Sequence, residues 1–202
     1  MIAAKVLAGK TILFSGDPDA LGPLVRTIKR AGATTVWWGE KPTEAKWLFD
    51  WCMKVDFKKL DSLELAMVRL RKKYGHLHGA VNMPEAPNPV KFLESSRQQW
   101  EVIGPSVADL AMQTKVQVGK MLETGGGIIL TALSYIEESP IEAVWITAIQ
   151  EVATQIDFQY AENSVRAFNF YDSTDDEMVN YLAGIGVPEL NMSYADDVVP
   201  NS

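Results

Sequence analysis

The sequence predicts an α/β fold on a doubly wound parallel sheet, as one domain over residues 1–190 followed by a polar, acidic tail over 191–202. Three observations carry this. Residues 11–22, TILFSGDPDALG, read as a strand, a tight glycine turn and a helix start, the opening of a βαβ unit. Apolar runs then alternate with helical patterns along the rest of the chain. Residues 128–133, IILTAL, lack polar alternation, as a central parallel strand buried on both faces requires.

The elements follow in order. Residues 11–14 are apolar β-formers, Ser15-Gly16 turns the chain, and Asp17-Pro18-Asp19 is a loop. A helix opens at Ala20-Leu21-Gly22 and runs to about Ala31, where Gly32 stops it. Residues 34–38 are the second strand, with a break ending in Pro42. A short helix over 44–51 and a third strand over 52–57 come next. Asp61 or Ser62 is the expected cap of a helix whose stripe is Leu63, Met67, Leu70 and Tyr74, and Gly75 ends it. The fourth strand, 77–82, is closed by Pro84, Pro87 and Pro89. A long helical stretch over 96–122 carries a break at Gly104-Pro105. After strand 128–133, Ser139-Pro140 starts a helix to about Tyr160, with proline in its first turn. Residues 165–171 are a sixth strand, and 174–183 a final helix with Asp175, Asp176 and Glu177 where the helix dipole favours acids.

Composition narrows the function classes. The chain has 202 residues, 47% of them hydrophobic, enough for one large core. A net charge of -7 argues against nucleic acid or an anionic membrane as partner. No run approaches a membrane span, and the first ten residues do not read as a signal peptide. The single cysteine, Cys52, excludes an internal disulfide and fits a reducing, cytoplasmic setting, with the thiol as a small buried hydrophobe.

A glycine turn between a first strand and helix is the usual cradle of a pyrophosphate, held on backbone N–H groups. Here Asp17 and Asp19 place carboxylates where those phosphates would sit, and Ala20 adds a Cβ. Several spaced fragments together resemble the short-chain dehydrogenases/reductases (SDRs) over about residues 7–183. LAGKTILFSGDPDALG looks like that family's first strand and TGxxxGxG loop. VDFKKLDSLELAMVRLRKKYGHLHGAVN looks like its third strand, helix and fourth strand. Trp100, GGGIILTAL and YAENSVRAFNF look like the later helix and the fifth and sixth strands. The resemblance implies a Rossmann-like, SDR-type sheet. The glycine-rich final strand and the substrate-closing segment of the family are not matched, so the fold is expected to be C-terminally shortened.

What the resemblance implies for the site is mostly loss. Ser15, Gly16 and Gly22 match the glycine loop, Asp56 the aspartate beside the adenine, and Asn82 the start of the NNAG turn. These make a vestigial cofactor site at best. The ribose-binding acid falls at Gly39, with Glu40 one place late. The family's catalytic asparagine falls near Val107, its serine at Leu133 (or Ser134, one register on), its tyrosine at Glu142 and its lysine at Ile146. That lysine lowers the tyrosine pKa so that it can act as a general acid/base. Glu142 carries the wrong charge and Ile146 none, so no catalytic residue is assigned. Without the cation, Tyr135 or Tyr160 would keep a pKa near ~10.

The remaining candidates have plain structural readings. His76 and His78 flank the start of the fourth strand, at the wrong edge for a ligand, and read as a solvated turn. Asp17, Asp19 and Glu40 could surround a divalent cation but read as solvated loop acids capping the helix at Ala20, so no metal is assigned. Trp37 and Trp38 point to opposite faces, one into the core and one over the adenine position or a partner. Arg69, Arg71, Lys72 and Lys73 are a solvated helix end. Met112, Val116, Val144, Trp145, Ile149 and Val152 give two helices more apolar surface than one buried stripe needs. In the family those helices form the main subunit interface. Two functions follow. One is a non-catalytic subunit that binds no dinucleotide tightly and pairs with an active SDR homologue, since mixed assemblies of active and degenerate chains occur in this superfamily. The other is an NAD(P)-dependent oxidoreductase with unorthodox residues such as Glu142 or Ser134.

Overall fold

The computed structural model describes residues 5–40, 44–133, 139–171 and 175–184. Six strands form one parallel sheet in the order β3-β2-β1-β4-β5-β6. They are β1 (Thr11–Ser15), β2 (Thr34–Gly39), β3 (Trp51–Lys54), β4 (Gly79–Asn82), β5 (Gly127–Leu133) and β6 (Val165–Tyr171). The helices are α1 (Gly22–Arg30), α2 (Leu60–Tyr74), α3 (Arg97–Glu101), α4 (Ile103–Thr124), α5 (Pro140–Tyr160) and α6 (Asp175–Ala183). The strand order reverses between β1 and β4, which pair in the register Leu13 to Ala80 and Ser15 to Asn82. In open α/β sheets the carboxyl ends of the strands at this switch point are where ligands bind.

The period-2 alternation of the strands sorts side chains onto two faces. Ile12, Phe14, Trp37, Val81 and Leu130 pack under α1 and α6, against Val25, Ile28, Val179 and Leu182. Leu13, Val36, Trp38, Ala80 and Ile129 face the other way, onto Leu63, Met67 and Leu70 of α2 and Val118 and Met121 of α4. This two-faced burial is why the strands are mostly apolar runs.

Several local details differ from the sequence reading. Residues 44–48 form a 3₁₀ turn, shorter than the helix expected over 44–51. Neither Asp61 nor Ser62 caps α2: the helix starts at Leu60, and the Ser62 hydroxyl accepts the Asp56 N–H at 2.9 Å. The long helical stretch breaks at Val102, ahead of Gly104-Pro105, so that Pro105 falls in the first turn of α4, where its missing N–H costs nothing. Ser96 caps α3 in a reciprocal capping box with Gln99. The α5 start is as expected, with the Ser139 hydroxyl accepting the Glu142 N–H and Pro140 in the first turn. Ser134, Tyr135 and the tail over 191–202 lie outside the described residues.

Candidate functional site

The carboxyl ends of β1 and β4 meet in a closed polar knot. The Ser15 hydroxyl donates to Asn82 Oδ1 at 3.0 Å. Asn82 and Gln117 of α4 exchange two amide hydrogen bonds, each 2.9 Å, and both residues are fully buried. A buried amide left unpaired is costly, so this reciprocal arrangement binds α4 to the sheet at the switch point. Sequence reasoning placed Asn82 and Ser15 here but missed Gln117. Its signal is its spacing: with Leu110, Thr114 and Met121 it lies on the buried stripe of α4, where a glutamine needs a partner.

Gly16 is required where it stands. Its φ is +117°, and a Cβ there would meet the Met83 carbonyl oxygen at 2.3 Å. Gly22 is different, since an added Cβ would make only ordinary contact with Arg26, at 3.5 Å.

Three N–H groups at the end of the loop between them are used internally. The Asp17 carboxylate accepts the Asp19 N–H at 3.0 Å, the Asp17 carbonyl accepts the Leu21 N–H, and the Asp19 carbonyl accepts the Gly22 N–H. α1 begins at Gly22 with no side-chain cap, so the expected cap at Ala20 is not made. A pyrophosphate needs those N–H groups free and no anion among them. Across the crevice, the Trp37 indole N–H donates to the Gly16 carbonyl at 3.2 Å, and its ring lies against Phe49. Both tryptophans are core residues: Trp38 is fully buried against Phe57 on the opposite face. Asp56, expected beside an adenine, is held in its own loop by Lys59 at 3.0 Å and by the Lys58 N–H. The Lys59 ammonium, with the Lys58 N–H, holds its carboxyl below the usual range. Asp17 and Asp56 thus already have partners within their own loops.

The second half of the edge is apolar. Leu110, Leu133, Trp145, Ile146 and Ile149 form one buried cluster, with Ala86, Ile103 and Val107 packed against it. Three of the four positions matched to catalytic residues, Val107, Leu133 and Ile146, thus meet in a single hydrophobic contact set. The fourth, Glu142, is fully buried in the first turn of α5. The Trp145 indole N–H donates to the Ser106 hydroxyl of α4 at 3.0 Å and closes the cluster from the helix side.

That burial corrects the interface expectation. Trp145 and Ile149 are each 1% exposed within this chain and are unavailable to a partner. Met112 and Val116 are half-buried against the core beneath α4. Val144, 48% exposed, and Val152 do face outward. There α4 and α5 enclose a groove of about 530 Å³, lined by Ala111, Lys115, Leu122, Val152, Gln155 and Tyr160. A shallower depression over Ala143, Val144 and Ala148 continues it along α5.

The histidines are also reassigned. His78 is half-buried, and its Nδ1 accepts the Thr11 N–H at 3.0 Å, so it is a neutral structural acceptor and not part of a solvated turn. Burial, then the neighbouring His76 and Lys10, push its pKa below the ordinary value. His76 stacks on it with ring centroids 5.7 Å apart. Among the described residues no three His, Cys, Asp or Glu side chains converge as metal ligands. No described helix is long and apolar enough to cross a membrane.

The architecture is a Rossmann-like sheet of the SDR type. Solved structures of SDRs share it at low sequence identity. One described as a short-chain dehydrogenase/reductase from Burkholderia xenovorans superposes with a TM-score of 0.70 at 18% identity, over 83% of this chain and 75% of that one. The enoyl-(acyl-carrier-protein) reductase of Anaplasma phagocytophilum, solved with NAD, gives 0.70 at 14% identity, over 89% and 79% of the two chains. The 2-keto-3-deoxy-D-gluconate dehydrogenase of Streptococcus agalactiae gives 0.65 at 19%, over 82% and 68%. No protein-family model matches the sequence, and no curated protein matches it.

Proposed function

We propose that this chain is a non-catalytic SDR-fold subunit that pairs with, and supports, an active dehydrogenase or reductase of the same fold. The observation that carries this is the apolar cluster of Val107, Leu133 and Ile146 where the family's chemistry would sit. A hydride-transfer site needs a proton donor of tuned pKa and room for substrate. This cluster offers aliphatic and indole packing, with Glu142 buried one helical turn before Ile146 and no tyrosine or lysine among the four matched positions. The glycine turn supports the same reading, since the Asp19, Leu21 and Gly22 N–H groups are used internally and a carboxylate stands among them. The chain therefore binds NAD(H) or NADP(H) weakly or not at all. The heteromeric 2-[hydroxy(phenyl)methyl]succinyl-CoA dehydrogenase is the kind of assembly we have in mind.

The outer α4–α5 face is the proposed contact. It carries an apolar groove rimmed by Lys115, Glu151 and Gln155, and exposed apolar grooves on otherwise polar surfaces mark contact sites. The test is purification from the source cells, identification of any SDR-fold chain that elutes with it, and reconstitution of the pair. The reading predicts that the partner gains stability or turnover on adding this chain, and that Val152→Arg abolishes the gain. It fails if the isolated chain turns over a carbonyl or carbinol substrate with NAD(P), and Glu142→Gln stops that turnover. That result would establish the oxidoreductase alternative.

A further inference from the structure

Trp37 and Gly39 stand two residues apart on the same side of β2, at its carboxyl end. A Cβ on Gly39 would lie 2.3 Å from both Cζ2 and Cη2 of the Trp37 ring. No L side chain fits there while the indole keeps its place. The indole is held from two sides. Its N–H donates to the Gly16 carbonyl across the gap between the ends of β1 and β2. Phe49 lies against its ring at 6.4 Å between centroids, and Phe14 packs behind Phe49 at 5.8 Å. The residue is only 5% exposed.

In a doubly wound sheet this gap has a chemical meaning. The adenosine half of a dinucleotide leaves the first turn and crosses to the end of the second strand, where an acid receives the ribose hydroxyls. We infer that the Trp37 indole is an internal occupant of the adenosine crevice, and that Trp37 and Gly39 together decide that it admits no nucleoside. The indole fills the volume, and its ring demands the glycine that removes the ribose acceptor. The inference goes beyond the subunit reading and stands without it, because the crevice is closed whether or not the chain has a partner.

The test has a steric arm and a binding arm. Phenylalanine at position 37 lacks the ring atoms that meet the Gly39 Cβ. Gly39→Ala should therefore lower the thermal midpoint strongly in the Trp37 background and much less in Trp37→Phe. Equal costs in the two backgrounds would overturn the steric coupling. For binding, the probe is adenosine, which has no phosphate for Asp17 or Asp19 to repel. Titration of the wild type should give no saturation. The Trp37→Val/Gly39→Asp double variant should bind adenosine at least about tenfold more tightly, and should lose that gain for 2′,3′-dideoxyadenosine. A folded double variant that binds adenosine no better than wild type overturns the occupancy claim. Should that variant not fold, the phenylalanine cycle decides.

Discussion

The carboxyl edge of the sheet is buried core, whereas the outer face of α4 and α5 leaves apolar surface exposed. The edge, where doubly wound proteins keep an open crevice, is packed shut by Trp37 on one side and by Leu133, Trp145 and Ile146 on the other. The outer helical face, which a lone globular domain would make polar, carries an apolar groove of about 530 Å³. Both halves use the same helix. On α5, the residues Ile141, Trp145, Ile149 and Ala153 fall on one stripe and are buried, while Val144, Ala148 and Val152 fall on the other side. The difference separates two kinds of constraint. The sheet register, the Gly16 close approach and the Ser15–Asn82–Gln117 knot hold the scaffold together and do not depend on catalysis. Val107, Leu133 and Ile146, which the sequence resemblance matches to catalytic positions, pack into one hydrophobic cluster.

The sharpest break in that comparison is on the inner stripe. Trp145→Asp would bury a carboxylate in the apolar cluster and remove the bond to Ser106. It should destabilise the isolated chain by about 3 kcal/mol or more, read as a shift in urea midpoint. A normal midpoint would mean that Trp145 is not part of the closed wall. Next comes the knot. Gln117→Leu leaves the buried Asn82 Nδ2 without its acceptor, while Oδ1 keeps the Ser15 hydroxyl, and should cost roughly 1–3 kcal/mol by the same measurement. Asn82→Leu combined with it should cost less than the sum of the two single changes.

On the outer stripe the expectation is opposite. Val152→Arg should leave the unfolding free energy within about 0.5 kcal/mol of wild type, because the side chain can reach solvent along the groove. Its effect should appear only in sedimentation of the assembled pair. A large loss of stability in the isolated chain would erase the distinction between the two faces of α5.

The smallest effect is at the opposite edge of the sheet. His78 has its pKa lowered in the folded state, so the unfolded chain binds more protons in the window below the ordinary value of 6.5. Its contribution to stability is present at neutral pH and is lost as pH falls from there through the folded pKa. His78→Asn should flatten that part of the stability–pH profile. A profile unchanged by the substitution would show that the Thr11 bond does not govern it.

Most of the scaffold was legible in the sequence because burial on two faces writes itself as uninterrupted apolar runs. The bounds of β6 and α5 follow directly from Val165–Tyr171 and from Ser139-Pro140. The expected mismatch at Leu133, Glu142 and Ile146 rests on residue type and on the alignment of spaced fragments alone. What the sequence could not show is direction. Apolar excess on α5 reads the same whether Trp145 faces the sheet or a partner, and only its packing with Leu110 and Leu133 decides. The Gln117 amide and the His78 acceptor were hidden for a related reason, because each is defined by a backbone or side chain about 35 and 67 positions away. Gly39 read as a lost acid, and its cause lies in the Trp37 ring.

The central claim, that this edge is closed to a dinucleotide by the chain's own side chains, is tested most directly by calorimetric titration of the purified chain with NADH and with NADPH. The account predicts no saturable binding below about millimolar concentration for either cofactor. A micromolar dissociation constant for one of them would contradict it.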